Sequence, residues 1–207
     1  MRFNNYIAKF AICCASFFLF VFSYNINEYF DSFAQYAQGI NLIFIPAGFK
    51  LLCVLLGGWA AVVGLLLSSV YMSSKDIDNT SVQQMISFAF ASVGSYFVAV
   101  SLVKRVMNID DMLSNLRYLH IIILSAAVSV LNGTVHNVVY IWQDRFKVED
   151  FFSHSSAMIV GDFLGCFIVI MFLNVCIDIA VKLTHKKSKD EGRGIGYIAH
   201  LLNRRQA

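Results

Sequence analysis

The sequence predicts an all-α, polytopic transmembrane helix bundle of about six membrane segments. Two observations carry that expectation. Hydrophobic residues make up 58% of the chain and charged ones 14%, with a mean hydropathy of +0.65, far outside the soluble range. The apolar residues also gather into long runs, Phe10 to Tyr24, Ile40 to Tyr71, Met85 to Val103, Leu119 to Trp142 and Ala157 to Val181, most of them near or above the ~20 residues that cross a hydrocarbon core. No sizeable soluble domain fits between them. Residues 1–182 are expected to form the bundle and 183–207 a basic tail too short for a catalytic domain.

The first run follows Arg2 and Lys9 and lacks a small-x-small cleavage site after Phe20-Val21-Phe22-Ser23-Tyr24, which points to an uncleaved anchor. The run from Ile40 to Tyr71 is too long for one straight span, since a helix of that length would measure ~48 Å across a core of ~30 Å. Pro46, the only proline, is the expected break, with Gly48 relaxing the backbone beside it. The expectation is an amphipathic, tilted or re-entrant helix from Glu28 to Ile45, carrying Asp31, Gln35, Gln38, Gly39 and Asn41, and then a proper span from Phe49 to Val70.

Charge asymmetry favours six segments over five. With both termini cytoplasmic, thirteen of the sixteen Lys and Arg residues fall inside, Lys50 among them, and Lys75, Arg145 and Lys147 fall outside. Five spans with the tail inside would export Arg2 and Lys9 as well. The predicted location is a cell inner (plasma) membrane.

Polar residues within the runs follow helix faces. Ser125, Ser129, Asn132, His136 and Tyr140 recur at spacings of four, three, four and four, one stripe facing protein or water. Ser87, Ala91, Gly94, Ser95 and Ser101 form a small-residue face, and Gly161 and Gly165 repeat the device late in the chain. Tight packing alone accounts for the Ser, Ala and Gly positions. Asn132 and His136 are costlier to bury and stand equally as candidates for a site. Lys50, at the start of a span, has the bland option of snorkelling to the interface, and Asp162 that of capping a helix or reaching water. The expected topology places these two nearer opposite faces, without a direct salt bridge. Asn174, Asp178 and Lys182 form a further polar edge for which an i,i+4 pair is sufficient.

Cys13, Cys14, Cys53, Cys166 and Cys176 have no metal-type spacing and read as small buried hydrophobes, and no cofactor is expected. The sequons at Asn79 and Asn132 are matches of the kind common by chance. In the tail, Lys186, Lys187 and Lys189 are candidate contacts to a cytoplasmic signalling protein or to anionic lipid. After Gly192-Arg193-Gly194-Ile195-Gly196, the segment Ile195 to Arg205 reads as a short interfacial helix or a docking peptide. The net charge of +3 gathers in this tail and suits a membrane surface rather than nucleic acid.

The stretch Asn41-Leu42-Ile43-Phe44-Ile45-Pro46-Ala47-Gly48, with Leu51-Leu52-Cys53-Val54-Leu55-Leu56-Gly57 after it and Gly161-Asp162-Phe163-Leu164-Gly165 later, resembles the signature segments of the first class of membrane-associated sensory (MASE-type) domains. There an apolar-Pro-Ala-Gly stretch opens one long helix and Gly-Asp-x-x-Gly a late one. The similarity runs from about Ile40 to Val181. Such domains have more spans and are fused to a histidine kinase, a diguanylate cyclase or a phosphodiesterase, so the resemblance implies a shortened, stand-alone relative. It also implies that Asn41, Pro46, Gly48, Gly161, Asp162 and Gly165 form a shared structural or ligand-binding centre.

Two function classes follow. One is a sensory or scaffold module that binds a small ligand, a lipid or a partner protein around the Pro46 break. The other is a small-solute transporter, or the membrane substrate-binding subunit of one, because broken helices with ends aimed at a midplane site mark such proteins. An enzyme is not expected: His136 with Asn132 offers a base without an evident nucleophile, and His136, His154 and Asp162 lack metal spacing. The candidate ligand site is Asn41, Pro46, Gly48, Lys50, Asn132, His136, Gly161, Asp162 and Gly165, with no catalytic or metal-ligating residue.

Overall fold

The computed structural model describes the backbone of residues 2–37, 39–76 and 81–204, and the side chains of residues 6–30, 33–37, 39–75, 81–176 and 179. Gln38, Asp78 and the sequon at Asn79 lie outside the described residues. The elements are α1 (Arg2–Glu28), α2 (Asp31–Ala34), β1 (Gln35–Ala37), β2 (Ile40–Asn41), α3 (Ile45–Ser73), α4 (Val82–Val106), α5 (Tyr118–Trp142) and α6 (Phe151–Arg204), with short 3-10 turns at Ser74–Asp76 and Val148–Asp150. Among the described residues five helices are long and apolar enough to cross a membrane, within α1, α3, α4, α5 and α6. Residues 1–169 form one compact unit and residues 170–207 another.

The break in the long apolar run is real but lies elsewhere than the sequence suggests. Pro46 sits in the first turn of α3, where its missing amide is no loss and its fixed φ suits the helix. The interruption falls at Gly58, whose φ of 53° and ψ of −136° are not helical. There α3 doubles back. Residues before Gly58 descend along α1: the Ile45 amide donates to Asn27 Oδ1 at 2.8 Å, and Gly57 lies against Ile12. Residues after it climb back along the same helix: Gly64 abuts the Cys13 carbonyl, Tyr71 meets Phe17 with ring centroids 5.8 Å apart, and Lys75 Nζ reaches Asn25 Oδ1 at 3.3 Å. A straight 29-residue helix would hold its ends ~42 Å apart, whereas here both ends touch one turn of α1. The sixth segment expected over Glu28 to Ile45 is thus not among the long helices; α3 instead supplies two half-length rods lying along α1.

The helix expected over Glu28 to Ile45 does not form. In its place are the one-turn α2 and an antiparallel β1–β2 hairpin pairing Gln35 with Asn41 and Ala37 with Ile40. Asp, Gln, Gly and Asn punctuate this stretch too often for a helix, and Gly39 takes a φ of 78° that turns the hairpin. Non-helical backbone at this depth needs protein partners. The Leu42 amide donates to the Ala34 carbonyl at 2.7 Å and the Phe44 amide to the Gly161 carbonyl at 3.1 Å.

Glycines let that strand of chain approach α6. A Cβ on Gly161 would strike the Asn41 carbonyl oxygen, one on Gly165 the Phe44 carbonyl oxygen, and one on Gly48 the Val169 side chain. In lipid, where the hydrophobic effect does not press helices together, such contact is a main source of association. The small-residue face of α4 is only partly used: Ala91 and Ser95 are buried, whereas Ser101 is exposed and Gly94 has open space beside it. Ser81 and Gln84 close the N-terminus of α4 with a reciprocal capping box.

Residues 29–37, 39–44, 74–76 and 143–150 gather at one end of residues 1–169, as the contacts Lys75–Asn25, Tyr36–His154 and Gly39–Tyr140 require. The Gly58 turn and the loop joining α4 to α5 lie toward the other end, where Trp59 meets Phe97 at 4.1 Å between centroids. That second loop is ordered by Asp110, which accepts from the Ser114 amide at 2.9 Å and from its hydroxyl, holding the Asp110 carboxyl below its ordinary value. The Lys104 to Asp111 ion pair, at 3.0 Å, is nearby and exposed on its Asp111 side. The α6 backbone stays helical through Gly192, Gly194 and Gly196, where a link before a separate short helix was expected. The side chains of Asp178, Lys182, Lys186, Lys187 and Lys189 lie outside the described residues, and Arg205 does so entirely.

Candidate functional site

A cavity of about 290 Å³ opens among α1, the α3 hairpin, α4, α5 and α6 beneath the β-hairpin. Its floor is polar. Lys50 and Asp162, only 2% and 1% exposed, both line it, as do Asn132 and His136 of the α5 stripe and Asn41 of β2. Its mouth, toward the loop-bearing end, is bounded by Gln35, Gly39, Ser73 and Arg145.

Each buried charge has its own set of partners. Lys50 Nζ donates to Ser92 Oγ at 2.5 Å and stands over three rings, those of Tyr96 at 4.9 Å and of Phe20 and Phe44 at 5.4 Å each. Ring faces recover part of the hydration lost by an ammonium, about 0.5–2 kcal/mol apiece. Asn132 Nδ2 donates to Asp162 Oδ2 at 2.6 Å, and the buried Tyr96 hydroxyl faces the same carboxylate without hydrogen-bonding geometry. Lys50 and Asp162 do not form an ion pair with each other. Their place on one cavity overturns the expectation that they lie near opposite faces: Lys50 neither snorkels nor joins a surface, because the fold-back at Gly58 closes α1, α3 and α4 around it. Asp162 lies well inside α6 rather than capping it.

Above this floor, aromatic rings carry the contact upward. Phe88 stacks on His136 at 5.8 Å, His136 meets Tyr140 at 4.8 Å, Tyr140 meets Phe146 at 5.1 Å, and Phe146 meets His154 at 4.2 Å. His154 then meets Tyr36 of the β-hairpin at 5.9 Å. The Arg145 guanidinium lies over Phe88 at 4.7 Å. Gly39 rests on the Tyr140 hydroxyl, so the hairpin tip is seated on the same ladder.

Of the nine residues singled out in the sequence, Asn41, Lys50, Asn132, His136 and Asp162 line the cavity. Pro46, Gly48, Gly161 and Gly165 do not. Gly48, Gly161 and Gly165 build the contact between residues 41–48 and α6 that brings Asn41, Lys50 and Asp162 together, and Pro46 starts α3 beside it. Sequence reasoning missed Ser69, Ser92, Tyr96 and Arg145. Ser69 and Ser92 sit in apolar runs, where a lone serine is an ordinary helix-packing residue, and Arg145 looks like any loop cation. All five cysteines are unpaired; Cys53 and Cys166 are buried, Cys13 and Cys14 half-buried, and Cys176 exposed. Among the described residues no group of His, Cys, Asp and Glu is arranged to hold a metal ion.

The family model for MASE1 matches residues 14–192, most of the chain. The chain belongs to the MASE1 family. The match takes in residues 41–48 and 161–165, the two segments that Gly161 and Gly165 bring into close contact in this chain. No curated protein and no solved structure shows significant similarity to it. As a MASE1 chain with five long apolar helices, it is a multi-pass membrane sensory module.

Proposed function

We propose that this MASE1 chain senses a ligand that enters the cavity from the loop-bearing end, and passes the change to a separate signalling protein. The observation that carries the reading is the presence of two buried, opposite charges on one cavity without an ion pair between them. Such an arrangement is expensive in a low dielectric and is met chiefly where a site needs it. The β-hairpin and the α3 fold-back are the elements that move: both carry cavity residues, and both rest on α6 or α5 through single-glycine contacts.

The chain sits in the inner membrane with both termini cytoplasmic. Lys104, Arg105 and Arg117 gather at one end of residues 1–169 and Lys75, Arg145 and Lys147 at the other, and the basic composition of the tail suits a cytoplasmic segment. The cavity then opens away from the cytoplasm. The module's partner is a kinase, cyclase or phosphodiesterase chain of the kind to which related domains are fused, met by the tail at Lys186, Lys187 and Lys189.

A photo-crosslinker at Lys187 in native membranes tests this. A signalling enzyme captured by the wild-type chain, and captured to a different extent by Asp162→Asn, supports the reading. Solute uptake into proteoliposomes by the purified chain alone would replace it with the transporter reading.

A further inference from the structure

Lys50 and Asp162 are poorly explained as a structural pair. Two opposite charges in a low-dielectric interior attract strongly, and direct contact is the arrangement that best repays their desolvation. Here packing holds them on one cavity, each satisfied in part by a neutral neighbour. The Lys50 ammonium has three donors, of which Ser92 takes one. The Asp162 carboxylate has several acceptor positions, of which Asn132 Nδ2 occupies one. Two neighbours on the same lining are buried without any hydrogen-bond partner: Asn132 Oδ1 and Ser69 Oγ. Unpaired buried polar atoms are uncommon and call for an occupant.

The two ends of the cavity have different chemistry. Asn132 presents its free carbonyl oxygen beside the Asp162 carboxylate, which together make an acceptor pair for a cationic group. Lys50 supplies donors and positive charge for an anionic one. A purely anionic ligand would leave Asp162 uncompensated and repelled, and a purely cationic one would do the same to Lys50. We infer that the cavity takes a small zwitterion, its anionic group on Lys50 and its cationic group between Asp162 and Asn132 Oδ1. The inference rests on the reading of the cavity as a ligand site. The shared chemistry has two sources, a free amino-acid-like or betaine-like solute and a zwitterionic phospholipid headgroup.

The test uses the full chain in nanodiscs of phosphatidylglycerol, which contain no competing zwitterion, with thermal unfolding as the readout. In one arm each standard L-amino acid and glycine betaine are titrated singly, beside propionate, propylamine and choline as single-charge controls. In the other, phosphatidylethanolamine is introduced into the discs. The expected result is a saturable rise in Tm with a zwitterion in one arm, absent with every single-charge control, and lost in the charge-balanced variant Lys50→Met/Asp162→Asn. A response in the first arm assigns the solute, and one in the second alone assigns the lipid headgroup. Should the double variant fail to insert, the charge selectivity of the wild-type chain decides. A saturable shift with propionate alone overturns the zwitterion while leaving the cavity a ligand site. No shift in either arm, or one that survives in the double variant, overturns the inference; if capture at Lys187 is also unchanged in Asp162→Asn, the sensory reading falls with it.

Discussion

Replacing Gly161 by Ala tests the contact on which the site is built. The added Cβ would overlap the Asn41 carbonyl oxygen, a backbone atom with little room to yield. Three residues on, the Phe44 amide is tied to the Gly161 carbonyl itself at 3.1 Å, and Gly165 is equally close to the Phe44 carbonyl. Relief therefore requires residues 41–44 to lift from α6. Overpacking of this kind costs about 1–3 kcal/mol, and weakening the Phe44 hydrogen bond about 0.5–1.5 kcal/mol. Alanine's better helix propensity returns up to ~1 kcal/mol. The net expectation is a loss of about 1–3 kcal/mol, measured by reversible unfolding in mixed micelles with increasing dodecyl sulfate. Gly94→Ala is the matched control, because its Cβ meets nothing within 4 Å. It should be neutral or stabilise by up to ~1 kcal/mol from propensity alone. If Gly161→Ala unfolds with the wild type, or if both substitutions cost the same, the close approach of residues 41–44 to α6 is not what holds the site together.

Further outcomes follow from the same geometry. Lys50→Met and Asp162→Asn each leave one buried charge without its counterpart and should cost about 3–5 kcal/mol. The double variant should be more stable than either single one, and a double-mutant cycle showing simple additivity would contradict the electrostatic link. Gly58→Ala forces a side chain into backbone that glycine alone adopts easily, costing about 1–3 kcal/mol by the same unfolding assay. The Ser114 hydrogen bonds hold the Asp110 carboxyl low. Their contribution is thus full above the ordinary carboxylate value near pH ~4 and is lost as pH falls through the depressed one. The protection factor of the Ser114 amide, the intrinsic exchange rate over the observed rate at the same pH, should be flat from neutral pH down to about 5 and fall only below it, and Asp110→Asn should remove that acid transition.

The helical membrane class was legible because lipid imposes it: apolar runs long enough to span can only be helices. That Lys75, Arg145 and Lys147 share one end was legible as well, although Lys50, expected on the cytoplasmic side with the other inside cations, is instead buried in the bundle because the Gly58 fold-back keeps both ends of α3 at the loop-bearing end. The position of the break was not legible. Pro46 is the stronger local signal, yet proline in a first turn starts a helix, and the Gly57-Gly58 pair becomes a turn only because α1 offers both halves of α3 a common face. The α5 stripe was readable from spacing, as one helix fixes its own faces. The meeting of Lys50 with Ser92, Tyr96 and Asp162 joins α3 to α4 and α6, and no local pattern encodes it.

The fold-back of α3 underlies everything proposed for the cavity, because without it Lys50 and Ser69 could not share one lining. In a cysteine-free background, spin labels at Phe49 and Tyr71, one on each half of α3, measure it directly by pulsed electron–electron resonance. Antiparallel halves packed ~8–10 Å apart predict a label separation below about 20 Å. A distribution centred near 33 Å, the span of the same residues along an unbroken helix, would contradict the account.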